Sequence, residues 1–178
     1  SALAEAEVEY QDKTSHQIDV AFAATDPTAV NRAFGVEDDT PVDLVIWTTT
    51  PWTLPANQAV AVNAELTYQL IEIGGRRVVL AEGLAEEALG RMGAESPRVL
   101  GECNGGALEG QELAHPFLER EVPVILGEHV TLDAGTGLVH TAPAHGEEDF
   151  AVGKRYHLPV DNPVDGEGRF FADTPLVG

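Results

Sequence analysis

Two short stretches hold residue types that can do chemistry together. The first is Trp47-Thr48-Thr49-Thr50-Pro51-Trp52-Thr53-Leu54-Pro55-Ala56-Asn57. Three consecutive threonines present hydroxyls, and Pro51 has no N–H to give to a strand ladder, so regular pairing stops there. Groups released from the ladder can face a polar ligand such as a ribose or a terminal phosphate. The same residues also fit a polar strand end whose hydroxyls close local turns, and composition alone favours that plainer account. On composition, Trp47 and Trp52 are core or loop anchors rather than stacking platforms.

The second stretch is Gly135-Thr136-Gly137-Leu138-Val139-His140-Thr141-Ala142-Pro143-Ala144-His145-Gly146-Glu147-Glu148-Asp149-Phe150. A glycine turn feeds a short strand that ends near His140 and passes through Pro143 into a helix. His145 and Asp149 share one face if that helix includes both. Imidazoles and a carboxylate then gather at one strand end. Such a carboxylate can hold a substrate ammonium or act as a general base. Glu147 and Glu148 read as a charged first helical turn favoured by the helix dipole. For Asp149 the same account and a functional one both stand.

Other catalytic plans fit poorly. The only serines are Ser1, Ser15 and Ser96, none on a nucleophile elbow. Cys103 is a lone cysteine, which excludes an internal disulfide and a multi-thiolate zinc site. His140 and His145 lack the i, i+4 spacing of helical zinc proteases. A metal site of His140, His145 and Asp149 stays open as an alternative. Gly135-Thr136-Gly137 lacks the lysine of a phosphate loop and is only a turn. His16, His115, His129 and His157 have no convincing partners in sequence and read as structural or surface residues.

The elements that must position these residues are mostly short strands. Residues 8–11, 18–23, Val42–Thr48, Ala59–Val62, 122–126 and 138–141 read as strands, with 99–100 as a shorter one. Residues 66–73 and 76–80 flank Gly74-Gly75, a strong hairpin signal. Asp26-Pro27 reads as an N-cap before a helix running to about Phe34. Residues 83–92 and 143–156 read as helices, and the tail from Pro159 as irregular. Strand–helix alternation is too uneven for a doubly wound parallel sheet, and an α+β or barrel-like fold is expected.

The length of 178 residues suits one domain, taken as residues 1–178. No apolar run is long enough for a membrane helix, and the acidic start is unlike a secretory signal. The lack of a starting Met suggests an excised piece. Thirty Asp and Glu against ten Lys and Arg give a formal charge of -20. Nucleic-acid affinity rests mainly on phosphate neutralisation, so the chain is expected to bind polyanions weakly by itself.

The run from Thr48 to Val60, taken with the run from Gly135 to Phe150, resembles the editing domain of isoleucyl-tRNA synthetase, an insertion in a class I catalytic domain. Residues 124–134 extend the similarity. The valyl and leucyl relatives typically have arginine where this chain has Thr50 and an acidic residue where it has Trp52, so the resemblance points to the isoleucyl branch. The class I synthetic signatures His-Ile-Gly-His and Lys-Met-Ser-Lys-Ser are absent. An editing domain cut from a larger synthetase, unable to activate amino acids, is therefore expected.

The resemblance implies a β-rich α+β fold, a closed β-barrel-like core of about six strands with peripheral helices. It implies hydrolysis of valine misattached to isoleucine tRNA, or of valyl-adenylate, with isoleucine excluded by size. The alternative is a module that recognises the amino acid and adenosine but needs the full synthetase for hydrolysis. By resemblance Asp149 anchors the α-ammonium and His140 borders the side-chain pocket. Thr48, Thr49 and Thr50 contact the adenosine or ester and position the water, Asn57 supports the pocket, and Trp52 lines it. No cofactor or metal is expected. Expected partners are the acceptor end of the tRNA and the rest of the synthetase, in a cytoplasmic, monomeric protein.

Overall fold

The computed structural model describes residues 17–142. The expected strand at 8–11, the expected helix at 143–156 and the tail lie outside the described residues. Strand β1 (Ile18–Ala24) pairs antiparallel with β2 (Val42–Thr48), from Ile18 opposite Thr48 to Ala23 opposite Asp43. Between them runs helix α1 (Pro27–Ala33), opened by Asp26, whose carboxylate accepts from the Ala29 N–H at 3.1 Å. The bounds of β2 and of β3 (Ala59–Val62) are those expected from the β-branched runs. Strands β4 (Thr67–Ile73) and β5 (Arg76–Ala81) form the hairpin at Gly74-Gly75, with φ of 54° and 88°. Two successive positive φ values are what a tight two-residue turn demands.

The remaining strands are β6 (Arg98–Asn104), β7 (Glu112–Ala114), β8 (Glu121–Leu126) and β9 (Val139–Thr141). The sheet order is β6-β4-β5-β2-β1-β7-β8-β3-β9, with parallel pairs β2–β5 and β3–β8. The expected closed barrel of about six strands is not met. The described sheet has nine strands, and its edge strands β6 and β9 do not pair with each other. The sheet instead curls, bringing β9 alongside β2 without pairing to it. A long, strongly twisted sheet buries its inner face in this way without joining its edges. The helix expected at 83–92 is also divided: a 3-10 turn (Glu82–Leu84) leads into helix α2 (Ala85–Arg91).

Alternate residues of β2 serve two cores. Leu44 and Ile46 face the inside of the curl with Phe22, Val60, Leu70 and Leu138. Val45 points outward with Ile71, Val78 and Leu80, under Ala85 and Ala88 of α2. Arg77 sits nearly buried near α1 in a small polar network. It donates to the Asn31 side chain at 3.0 Å and to both carboxylate oxygens of Asp38. Among the described residues no helix is long and apolar enough to cross a membrane.

Candidate functional site

Strand β2 delivers the threonines. At its end Thr48 is buried, Thr49 is exposed and Thr50 lies between these extremes. The Thr50 N–H donates to the Thr48 hydroxyl at 3.0 Å, which turns the chain out of the ladder. Pro51 then opens a 3-10 helix (Pro51–Ala56), a segment whose two prolines look like a plain break in sequence. Its tight repeat places Thr53 beneath Thr50. Both the backbone N–H and the hydroxyl of Thr53 donate to the Thr50 carbonyl, at 2.9 and 2.8 Å. The plainer account of the threonines, local turn closure, therefore holds for Thr48 and Thr53, and the Thr50 hydroxyl lies 3.4 Å from each of theirs, while Thr49 is exposed.

Strand β9 delivers His140, which lies opposite Val60 of β3 in an antiparallel register. The imidazole is 8% exposed and held at both nitrogens. Asn57 Nδ2 donates to the Ala59 carbonyl at 3.0 Å and to His140 Nδ1 at 2.8 Å. The first bond fixes the amide orientation, since the flipped amide would set two oxygens against each other. Nδ1 is then the acceptor, so Nε2 carries the proton and donates to the Thr53 hydroxyl at 2.7 Å. A continuous chain runs from Asn57 through His140 and Thr53 to the Thr50 carbonyl. It fixes a neutral imidazole in one tautomer.

Three further residues brace this arrangement. His115 Nε2 donates to the Leu54 carbonyl at 2.7 Å, and its Nδ1 accepts from the Leu118 N–H at 3.1 Å. Burial holds the His115 pKa below the ordinary histidine value. Arg120 donates to the Asn57 carbonyl at 2.7 Å. The run into β9 is pinned by Tyr68, whose hydroxyl donates to the Gly137 carbonyl at 2.6 Å and whose pKa burial pushes up to about 12. Gly137 has φ of 85°, and a Cβ there would stand 2.2 Å from that of Ala81. Only glycine allows so close a crossing.

These pieces enclose a cavity of about 310 Å³. Thr48, Thr49, Thr50 and Thr53 form one part of its wall, with His140 and Ala142 beside them. The loop between β8 and β9 contributes His129 and Thr131, and Trp47 completes the rim. Among the predicted site residues, the threonines and His140 thus come together. Asn57 lies behind His140, fully buried, rather than on the wall. Trp52 is 62% exposed and is not part of the cavity wall. Asp149 and His145 lie outside the described residues. Among the described residues no group of three His, Cys, Asp or Glu side chains could hold a metal ion.

Sequence reading missed Thr53, His129 and the bracing role of His115. Spacing gave a signal only for Thr53, which stands one 3-10 turn after Thr50. The two histidines reach the site by tertiary packing.

Comparison with known proteins places this chain in a family. The leucyl-tRNA synthetase editing domain matches residues 28–174. The isoleucine–tRNA ligase of Thioalkalivibrio sulfidiphilus is 58% identical over 176 residues, covering 98% of this chain and 19% of that protein. That of Thiobacillus denitrificans is 59% identical over 180 residues, covering 100% of this chain and 19% of that protein. The chain therefore spans about a fifth of the length of these relatives. The editing domain of P. knowlesi cytosolic leucyl-tRNA synthetase shares the fold, with a TM-score of 0.67 at 13% identity over 79% of this chain and 62% of that one. A match over most of the length, joined to relatives of such identity, settles the kinship: the chain belongs to the leucyl-tRNA synthetase editing-domain family and stands with the isoleucine–tRNA ligases within it.

Proposed function

We propose that this chain hydrolyses the ester of valine misattached to isoleucine tRNA and spares the isoleucyl ester by pocket size. Editing domains are aminoacyl-tRNA deacylases, and this membership sets the reaction class. The observation that carries the finer reading is the cavity, small and walled by hydroxyls, with His140 held rigid at its edge. One methylene changes binding in an apolar pocket by only about 1–3 kcal/mol, the isoleucine/valine pair being the standard illustration of that limit. A second pocket can reject the larger side chain by overlap. A histidine locked at both nitrogens cannot swing aside to admit it.

In this reading Thr49 and Thr50 contact the ester or the terminal ribose and orient the attacking water. Asp149, which follows Ala142 of the cavity wall closely in sequence, anchors the α-ammonium. His140 limits the side-chain space, and Asn57 holds His140. The described wall offers no strong base. The free hydroxyl of the adenosine then assists the water, with orientation supplying much of the rate. No cofactor or metal takes part. The charge of -20 leaves tRNA delivery to the remainder of a synthetase, in the cytoplasm, with this domain acting as a monomer.

A second reading is a recognition module that hydrolyses only within the full synthetase. It is favoured by the small share, about a fifth, that the chain makes of its relatives. The test is to follow the ester of valyl and isoleucyl isoleucine tRNA with the chain and with Asp149→Ala. Selective loss of the valyl ester, abolished in the variant, supports the first reading. Survival of both esters with a folded chain supports the second.

A further inference from the structure

Among the described residues four buried side-chain atoms lack a hydrogen-bond partner: Trp47 Nε1, Asn57 Oδ1, Arg77 Nε and His129 Nε2. Arg77 lies away from the cavity, and a Glu72 carboxylate oxygen stands 3.8 Å from its Nε. The other three belong to the cavity wall or to the residue holding His140. Buried polar groups are paired in the great majority of cases. Two of the unpaired atoms, on Trp47 and His129, sit on residues that line the cavity, while Asn57 Oδ1 lies behind His140 out of an occupant's reach.

His129 carries the argument. Its loop is fastened on both sides: the Gly127 N–H donates to the Val62 carbonyl at 2.9 Å, and buried Val130 accepts from Asn63 Nδ2 at 3.0 Å. The imidazole lies over Gly127, where a Cβ would come within 2.5 Å of its Cε1 and 2.7 Å of its Nδ1. The bare glycine makes room for a ring that borders the cavity. Nε2 itself is out of solvent contact; the last side-chain torsion of histidine is broad, and a turn of the ring about it is the movement that would bring Nε2 to an occupant. No hydrogen bond gives Nε2 a task in holding the fold.

We propose that His129 is a recognition residue for the nucleoside end of the substrate, its Nε2 pairing with a ribose hydroxyl or an adenine nitrogen of the terminal adenosine. The inference rests on the editing reading above. The aliphatic side chain of valine offers imidazole no polar partner, and its ammonium calls for a carboxylate. Hydroxyls and ring nitrogens suit an imidazole, whose nitrogens can donate or accept. Trp47 Nε1, a donor only, suits an acceptor on the same nucleoside.

The experiment is calorimetric titration of the chain with an amide-linked valyl-adenosine and, separately, with valine methyl ester. His129→Phe is expected to weaken valyl-adenosine binding about tenfold and leave valine methyl ester unchanged, and His129→Gln to stay within about threefold of the parent. In ¹⁵N-labelled parent protein the His129 Nε2 resonance moves with valyl-adenosine and stays with valine methyl ester, a readout that needs no variant to fold. Equal binding of valyl-adenosine by parent and His129→Phe, or an unmoved resonance in the bound parent, overturns the inference alone. A parent that binds neither ligand overturns the editing reading and this inference with it.

Discussion

His140 Nε2 and the Thr53 hydroxyl lie 2.7 Å apart across 87 residues of chain, and this bond joins the threonine segment to the histidine segment. Thr53→Val removes the acceptor of this buried bond, at a cost of about 1 kcal/mol. We expect a lower urea midpoint and deacylation slowed about tenfold or more. Thr53→Ser restores the hydroxyl and should behave as the parent. A valine variant with parental stability and rate would remove Thr53 from the account.

The His115 imidazole is neutral in the fold, with its pKa lowered by burial. The unfolded chain then takes up a proton first as the pH drops. His115 thus contributes stability that is fully present above about pH 6.5 and is lost as pH falls towards the folded value. Urea midpoints between pH 8 and pH 5 should decline more steeply for the parent than for His115→Gln. Parallel curves would sink this assignment.

The Asp38 carboxylate is held below the usual carboxylate range by its hydrogen bonds to Arg77, with the Thr40 N–H adding to the effect. Its contribution is present above the ordinary carboxylate value and is lost as pH falls through the lowered one. Asp38→Asn should lower the midpoint at neutral pH, because among the described residues nearly buried Arg77 then keeps only Asn31 and Glu72. The gap between parent and variant should narrow as pH falls below the ordinary aspartate value. A gap that is constant with pH would contradict the ion pair.

Burial pushes the Cys103 thiol up to about 11. Thiolate is the reactive form, so alkylation by iodoacetamide at pH 8 should be about a hundredfold slower in the folded chain than in urea. Mass spectrometry at timed intervals reads this directly. Comparable rates in both states would show the thiol to be open.

Strands with dense β-branched composition were legible in the sequence, to the residue for β2 and β3, and the Gly74-Gly75 hairpin announced itself. Strand β6 was legible only at Val99 and Leu100, because it is an edge strand with Gly101 and Glu102 at its centre and little apolar alternation. Strand β7 has three residues, too few to show a period. The order of strands was not legible. It depends on pairings such as Val60 with both Val124 and His140, which no local pattern encodes. The threonines and His140 were legible as chemistry, whereas Thr53, His115 and His129 acquire their roles only through contacts far along the chain.

The position of β3 between β8 and β9 has a consequence for how the molecule comes into being. The strand is made early but can pair with β8 only once the chain has passed Leu126, and with β9 only once it has passed Thr141. Pairing over such separations raises contact order and slows folding, since loop closure precedes any gain from the contacts. During synthesis the apolar edge of β3 stays open, a span in which holdase chaperones can act. A ribosome stalled before β9 emerges would display the threonine turn with no histidine to set it.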